Sequence, residues 1–158
     1  MVWNFQDYFD SVKIKIKRLD GREDIPIPAY ETAGASGMDI RAAVEERIIL
    51  EPGEIKLIPT GIAVSVPDGY EAQIRPRSGL ALKHGIGMAN SPGTIDSDYR
   101  GEIGLIMINW GREPYAISRG DRIAQMLITR VYRAEVMEVD ELEPTLRGEG
   151  GFGHSGID

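Results

Sequence analysis

From Val12 to Lys17 the chain alternates strictly, with Val12, Ile14 and Ile16 on one side of an extended segment and Lys13, Lys15 and Lys17 on the other. A lysine face suits solvent and discourages edge-to-edge pairing. Further β-rich runs occupy residues 47–50, 54–59, 62–66, 70–75, 102–109, 122–129 and 134–139. Turn signals divide them at Asp20-Gly21, Pro52-Gly53, Pro67-Asp68-Gly69 and Trp110-Gly111. Many short strands with frequent turns predict an all-β sandwich, jelly roll or barrel. Residues 78–84 predict one helix of two turns, capped by Ser78 and stopped by Gly85. No internal repeat or linker is evident. Residues 12–146 therefore form one expected domain, between an N-terminal arm (1–11) without an assigned role and a distinct tail (147–158).

Composition narrows the chemistry. The chain has 158 residues and a net charge of −7, from 25 acids against 18 bases. A duplex-binding surface usually carries a basic footprint, so a nucleic-acid polymer is not the expected partner. A small anion remains compatible, because a few basic groups in a pocket override a global deficit. There is no cysteine, which removes disulfides, thiolate catalysis and Cys-ligated zinc. The two histidines, His84 and His154, are too far apart for a local metal motif. No run of 18 apolar residues predicts a membrane span. The acidic start lacks the order of a signal peptide, so the expected compartment is cytoplasmic.

Four internal segments could carry chemistry. In residues 36–42, Asp39 lies between apolar neighbours and suits either solvent or a metal. In residues 75–80, Arg77 supplies a fixed cation, while Ser78 and Gly79 supply a hydroxyl and backbone N–H groups at a helix start. That combination is either a phosphate site or a simple helix cap beside a surface arginine. In residues 93–101, Asp96 and Asp98 share a face if extended and could serve a base, a metal or a turn. In residues 120–126, Gln125 falls in an apolar run, where an amide either ties the core together or addresses a ligand.

The tail is different again. Residues 147–156 hold five glycines and a single aromatic, Phe152. Such a stretch is costly to order and suits a frayed end or a flap over a ligand. Gly148, Gly150 and Gly153 satisfy G-x-G-x-x-G, but no helix can follow so near the end, which excludes a dinucleotide fingerprint. No P-loop motif occurs. Arg119-Gly120-Asp121 matches an adhesion tripeptide, although a turn entering the next strand explains it better.

In this order the segments resemble the five motifs of the homotrimeric dUTPase family, over residues 12–156. The resemblance implies a jelly-roll-like β-barrel, a homotrimer with active sites shared between subunits, and Mg²⁺-assisted hydrolysis of dUTP to dUMP and pyrophosphate. That reaction limits uracil in DNA and supplies dUMP for thymidylate synthesis. It also implies roles. Asp96 resembles the general base that activates water for attack on the α-phosphate. Asn90 and the backbone of Gly93, Thr94, Ile95 and Asp96 resemble the uracil reader, and Tyr99 the wall that excludes a 2′-hydroxyl. Arg77, Ser78, Gly79 and Gln125 resemble phosphate contacts, and Asp39 the acid that holds magnesium through water. In the tail, Arg147, His154 and Ser155 resemble γ-phosphate contacts, with Phe152 over the base and Gly153 as a further substrate contact. Asp98 and Arg122 are read as structural. Two alternatives share the fold: a dCTP deaminase, alone or bifunctional, and a non-catalytic nucleotide-sensing trimer. The glycine-rich tail and the 93–99 hairpin fit a dUTPase better than the deaminase, and the presence of Asp96, Tyr99 and Phe152 speaks against the non-catalytic trimer, which predicts a damaged base or tail.

Overall fold

The computed structural model describes residues 11–151. Ten strands and one helix follow in the order β1 (Lys15–Arg18), β2 (Met38–Arg41), β3 (Ile48–Leu50), β4 (Ile55–Ser65), β5 (Tyr70–Pro76), α1 (Ser78–His84), β6 (Ile86–Met88), β7 (Gly93–Ile95), β8 (Glu102–Asn109), β9 (Tyr115–Ile117) and β10 (Arg122–Arg130). They form two four-stranded sheets, β1-β4-β8-β6 and β2-β10-β5-β7, and a small β3-β9 pair. Every pairing is antiparallel. The inner faces of all three contribute to one apolar cluster, including Ile40, Leu50, Ile58, Ile74, Leu105, Ile117 and Met126. The architecture is jelly-roll-like, but the pairings do not close into a continuous barrel. Alternation explains the inner faces: in β8, Ile103, Leu105, Met107 and Asn109 are buried, while the residues between them are not.

β4 joins two segments that the hydrophobic pattern separates, 54–59 and 62–66. Gly61 makes this continuity feasible, with φ +68° in the left-handed region. The ladder to β8 skips there, from Pro59↔Gly104 to Ala63↔Glu102, which marks a bulge. Helix α1 has the expected span and ends on Gly85 at φ +69°. Its N-cap, however, is Arg77 without a side-chain cap bond, so Ser78 is the first helical residue and not the cap. The expected strand at 134–139 is also absent. Its alternating sequence has no neighbouring strand to pair with, and Val136, Met137 and Val139 are exposed. β2, β6, β7 and β9 were not expected; each has three or four residues, too few to show a period. Among the described residues, no helix is long and apolar enough to cross a membrane.

Candidate active site

Two concave regions gather most of the described candidate residues. The first lies where β7 forms the edge of the second sheet. β7 pairs with β5 on one side, Gly93 opposite Ile74, Thr94 opposite Gln73 and Ile95 opposite Ala72. Among the described residues it has no strand on its other side, so edge backbone groups are available to a ligand. The turn leading into β7 contains a cis Ser91–Pro92 peptide. Beside it opens a cavity of about 230 Å³ lined by Asn90, Gly93, Thr94, Ile95, Asp96 and Tyr99, with Ile74 and Met88 as an apolar floor. Asp96 is exposed, and its side chain makes no hydrogen bond to the described chain. Its carbonyl accepts the Tyr99 N–H at 3.1 Å, so the chain turns between them. Tyr99 donates its hydroxyl to the Glu102 carbonyl at 2.9 Å.

The second region is the outer face of β2, β10 and β5. Cross-strand register aligns Asp39, Gln125 and Arg75 in one row. Met38 and Ile40 point into the core, which forces Asp39 outward. These residues line a broader cavity of about 550 Å³ with Arg77, Ser78, Arg122 and Gly37. Asp39 is the charge hub. Its Oδ1 lies 3.4 Å from Arg77 Nε, and its Oδ2 accepts from Arg122 Nη1 at 3.0 Å. Arg77 also donates to the Arg122 carbonyl at 3.0 Å. Arg122 reaches Glu31 at 3.5 Å. The Gln125 amide makes no hydrogen bond among the described residues. A Cβ at Gly37 would lie 3.0 Å from its Oε1, so a small residue at position 37 leaves room for that amide. Ser78 and Gly79 are exposed at the start of α1.

The cavities share no lining residue. The Asp96 cavity thus offers a free carboxylate, an edge backbone and an aromatic wall. The other offers three guanidiniums, an amide and a hydroxyl, chemistry suited to an extended anion. Asp98 makes no hydrogen bond among the described residues. Arg147 is described but stands apart, donating to the Gly150 carbonyl at 2.7 Å in an exposed turn. Phe152, Gly153, His154 and Ser155 lie outside the described residues. The adhesion tripeptide is consumed internally. Arg119 clamps Asp24 at 2.6 and 2.7 Å, and Asp121 accepts the Ser118 N–H at 2.8 Å in the turn before β10.

A family model described as dUTPase matches residues 23–156. The chain belongs to the dUTPase family. It is 59% identical over 147 residues to the deoxyuridine 5′-triphosphate nucleotidohydrolase of Thermoanaerobacter sp. (strain X514), covering 93% of this chain and 99% of that one. The protein of the same name from Methylocella silvestris is 54% identical over 149 residues, with 93% of each chain covered. Among solved structures, a mutant dUTPase of Staphylococcus bacteriophage 80alpha with dUpNHpp has a TM-score of 0.81 and 28% identity, covering 92% of this chain and 99% of that one. A mutant dUTPase from phage phi11 of S. aureus, described as revealing the coordination of a structural Mg(II) ion, has a TM-score of 0.74 and 26% identity, covering 84% of this chain and 99% of that one.

Glu31, which touches Arg122, and Glu102, which anchors Tyr99, were not expected from the sequence of this dUTPase. Glu31 sits in a loop without periodic pattern and meets its partner 91 positions away, so no local signal marks it. Glu102 directly follows the 93–101 segment and could have been found by extending it.

Proposed function

We propose that this chain hydrolyses dUTP to dUMP and pyrophosphate, with Asp96 as the general base. The supporting observation is the convergence of Asn90, Asp96, Tyr99 and the β7 edge on one cavity. Asn90 and the edge backbone of Gly93, Thr94 and Ile95 read the uracil rim by hydrogen bonds. Tyr99 walls the deoxyribose and leaves no room for a 2′-oxygen. An exposed carboxylate without an internal partner is free to orient a water and take its proton. The water oxygen attacks the α-phosphorus, the bond to the bridging oxygen breaks, and pyrophosphate leaves.

Arg77, Ser78, Gly79 and Gln125 bind the phosphates, with Arg77 held ready by Asp39. Because the two cavities are separate within one chain, the phosphate contacts come from a neighbouring subunit of a trimer. The exposed apolar residues Tyr132, Val136, Met137 and Leu142 support that assembly, since a strand-like apolar segment without an internal partner suits the surface of another copy. The tail then closes over a neighbour's site, with Arg147, His154 and Ser155 at the γ-phosphate, Phe152 over the base and Gly153 as a further substrate contact.

Among the described residues, no group of three or more His, Asp or Glu side chains could hold a metal. Magnesium takes most of its ligands from substrate phosphates and water with one or two carboxylates, so a single acid on the phosphate-binding face is enough to fit it. Asp39, already paired to two arginines, would hold it through water. When bound, the ion neutralises charge on the triphosphate oxygens. A cytoplasmic location fits this reading.

The test is pyrophosphate release from dUTP, dCTP, dTTP and UTP with Mg²⁺, alongside a deamination assay on dCTP. Release from dUTP alone is the expected result. Loss of the amine from dCTP would favour the deaminase of the same fold, and no turnover of any nucleotide a non-catalytic trimer.

A further inference from the structure

Tyr99 is held in place from two directions. The first is steric. A Cβ at Gly101 would lie 2.6 Å from Tyr99 Cζ and 3.0 Å from its Cε2, with the hydroxyl closer still. The phenol therefore lies directly over position 101, and only glycine leaves it that space. Gly101 is not in the left-handed region, so the requirement is for space and not for backbone freedom.

The second is a chain of hydrogen bonds into the β4 bulge. Tyr99 Oη donates to the Glu102 carbonyl at 2.9 Å. The carboxylate of the same residue accepts the Gly61 N–H at 2.8 Å through Oε1. Gly61 sits where the β4–β8 ladder skips, so its N–H is released from strand pairing and finds the Glu102 side chain instead. One residue before it, Thr60 is buried and donates Oγ1 to the Ile103 carbonyl at 2.6 Å. Bonds from the bulge thus grip β8 at two successive residues, and the first of these carries the acceptor for Tyr99.

We propose that Gly101 and Glu102, fastened to the β4 bulge, are positioning residues that set where the Tyr99 ring stands and so determine discrimination between deoxyribonucleotide and ribonucleotide. The proposal rests on the reading of Tyr99 as the sugar wall. Neither residue needs to touch the reacting atoms. Tyr99 is 43% exposed, so an added methyl at position 101 pushes the phenol toward solvent and leaves the core intact. The consequence falls on specificity before it falls on folding.

The experiment compares kcat/KM for UTP and dUTP in the full-length enzyme and in Tyr99→Ala, Gly101→Ala, the double variant and Tyr99→Phe, with thermal melts of each. Gly101→Ala is expected to raise the UTP:dUTP ratio about tenfold, the scale of a one-methyl misfit in a substrate pocket. In the Tyr99→Ala background the same substitution should do nothing, because no ring remains to displace. A shift in Tyr99→Ala with no shift in Gly101→Ala overturns the positioning proposal and leaves the sugar wall standing. The same Gly101→Ala shift in both backgrounds also overturns it. An unchanged ratio in Tyr99→Ala rejects the sugar wall itself, and the proposal with it. Should Gly101→Ala fail to fold, Tyr99→Phe decides. It severs only the bond to Glu102 and is expected to raise the ratio severalfold; an unchanged ratio overturns the tether.

Discussion

The two cavities treat their charges in opposite ways. On the β2-β10-β5 face, Asp39, Arg77, Arg122 and Glu31 are already bound to one another at 3.0 to 3.5 Å. Beside β7, Asp96 is exposed and uncommitted. A cation meant to meet phosphate gains from being fixed in advance, since ordering a long side chain during binding costs affinity. A base needs open lone pairs to orient water and accept a proton, so an internal partner would compete with its task. The Asp39 face is preorganised by pairing, and the Asp96 cavity by backbone and aromatic walls around an acid without a partner among the described residues.

The sharpest way to break that contrast is Asp96→Asn. It keeps shape and hydrogen-bonding capacity and removes the proposed base, so kcat should fall about 10²–10⁴-fold with dUTP affinity near normal. Steady-state turnover and calorimetric binding of a non-hydrolysable analogue measure both; wild-type turnover would remove Asp96 from its role. Asp39→Asn should cost less, about 10–100-fold in kcat/KM, the scale seen when a group that orients another is lost. The loss should appear mainly as raised KM, because Arg77 and Arg122 would relax from their paired positions. A KM equal to that of the wild type would show that the pairing does not matter for binding.

Ser78→Ala separates a cap from a ligand contact. A capping serine would cost about 1 kcal/mol of stability on removal. With Arg77 as the N-cap, the melting curve should shift by less than about 0.5 kcal/mol, while KM for dUTP rises severalfold. A full cap-sized destabilisation would restore Ser78 to the capping role.

The smallest effect belongs to a pair outside both cavities, Asp24–Arg119, which serves as a reference for Asp39. Hydrogen bonds from Arg119 hold the Asp24 carboxyl below its usual value of 3.8. A lowered folded value means that the stabilisation is present above 3.8 and is lost as pH falls through that lowered value. Asp24→Asn should therefore melt slightly below wild type near neutral pH, and the gap should close as pH falls through the lowered value of the folded state. A gap that persists in acid would show that the pair acts through something other than its charge.

These tests also mark how far the sequence could be read. β8 appears in the hydrophobic pattern with its exact bounds, and α1 likewise, because long alternation and a terminal glycine are local signals. The strand expected at 134–139 failed for the complementary reason: alternation records which face would be buried, not whether a neighbour exists to bury it. The 93–101 segment was recognisable because its residues act within a few positions of each other. The Asp39–Arg77–Arg122 cluster was visible only as separate residues, since positions 38 and 83 apart meet through sheet register. The gap between the expected runs 54–59 and 62–66 is, at Gly61, a bulge inside one strand.

β10 carries both a wall of the core and a row of the Asp39 face. Ala124 and Met126 are buried, and Gln125 between them turns outward opposite Asp39 and Arg75. Inserting or deleting one residue within this strand would exchange the two sets, sending the amide inward and a methionine out. The arrangement therefore tolerates exchange of side chains far better than change of length. Over evolutionary time, insertions should accumulate in the connections around this strand and be purged from within it.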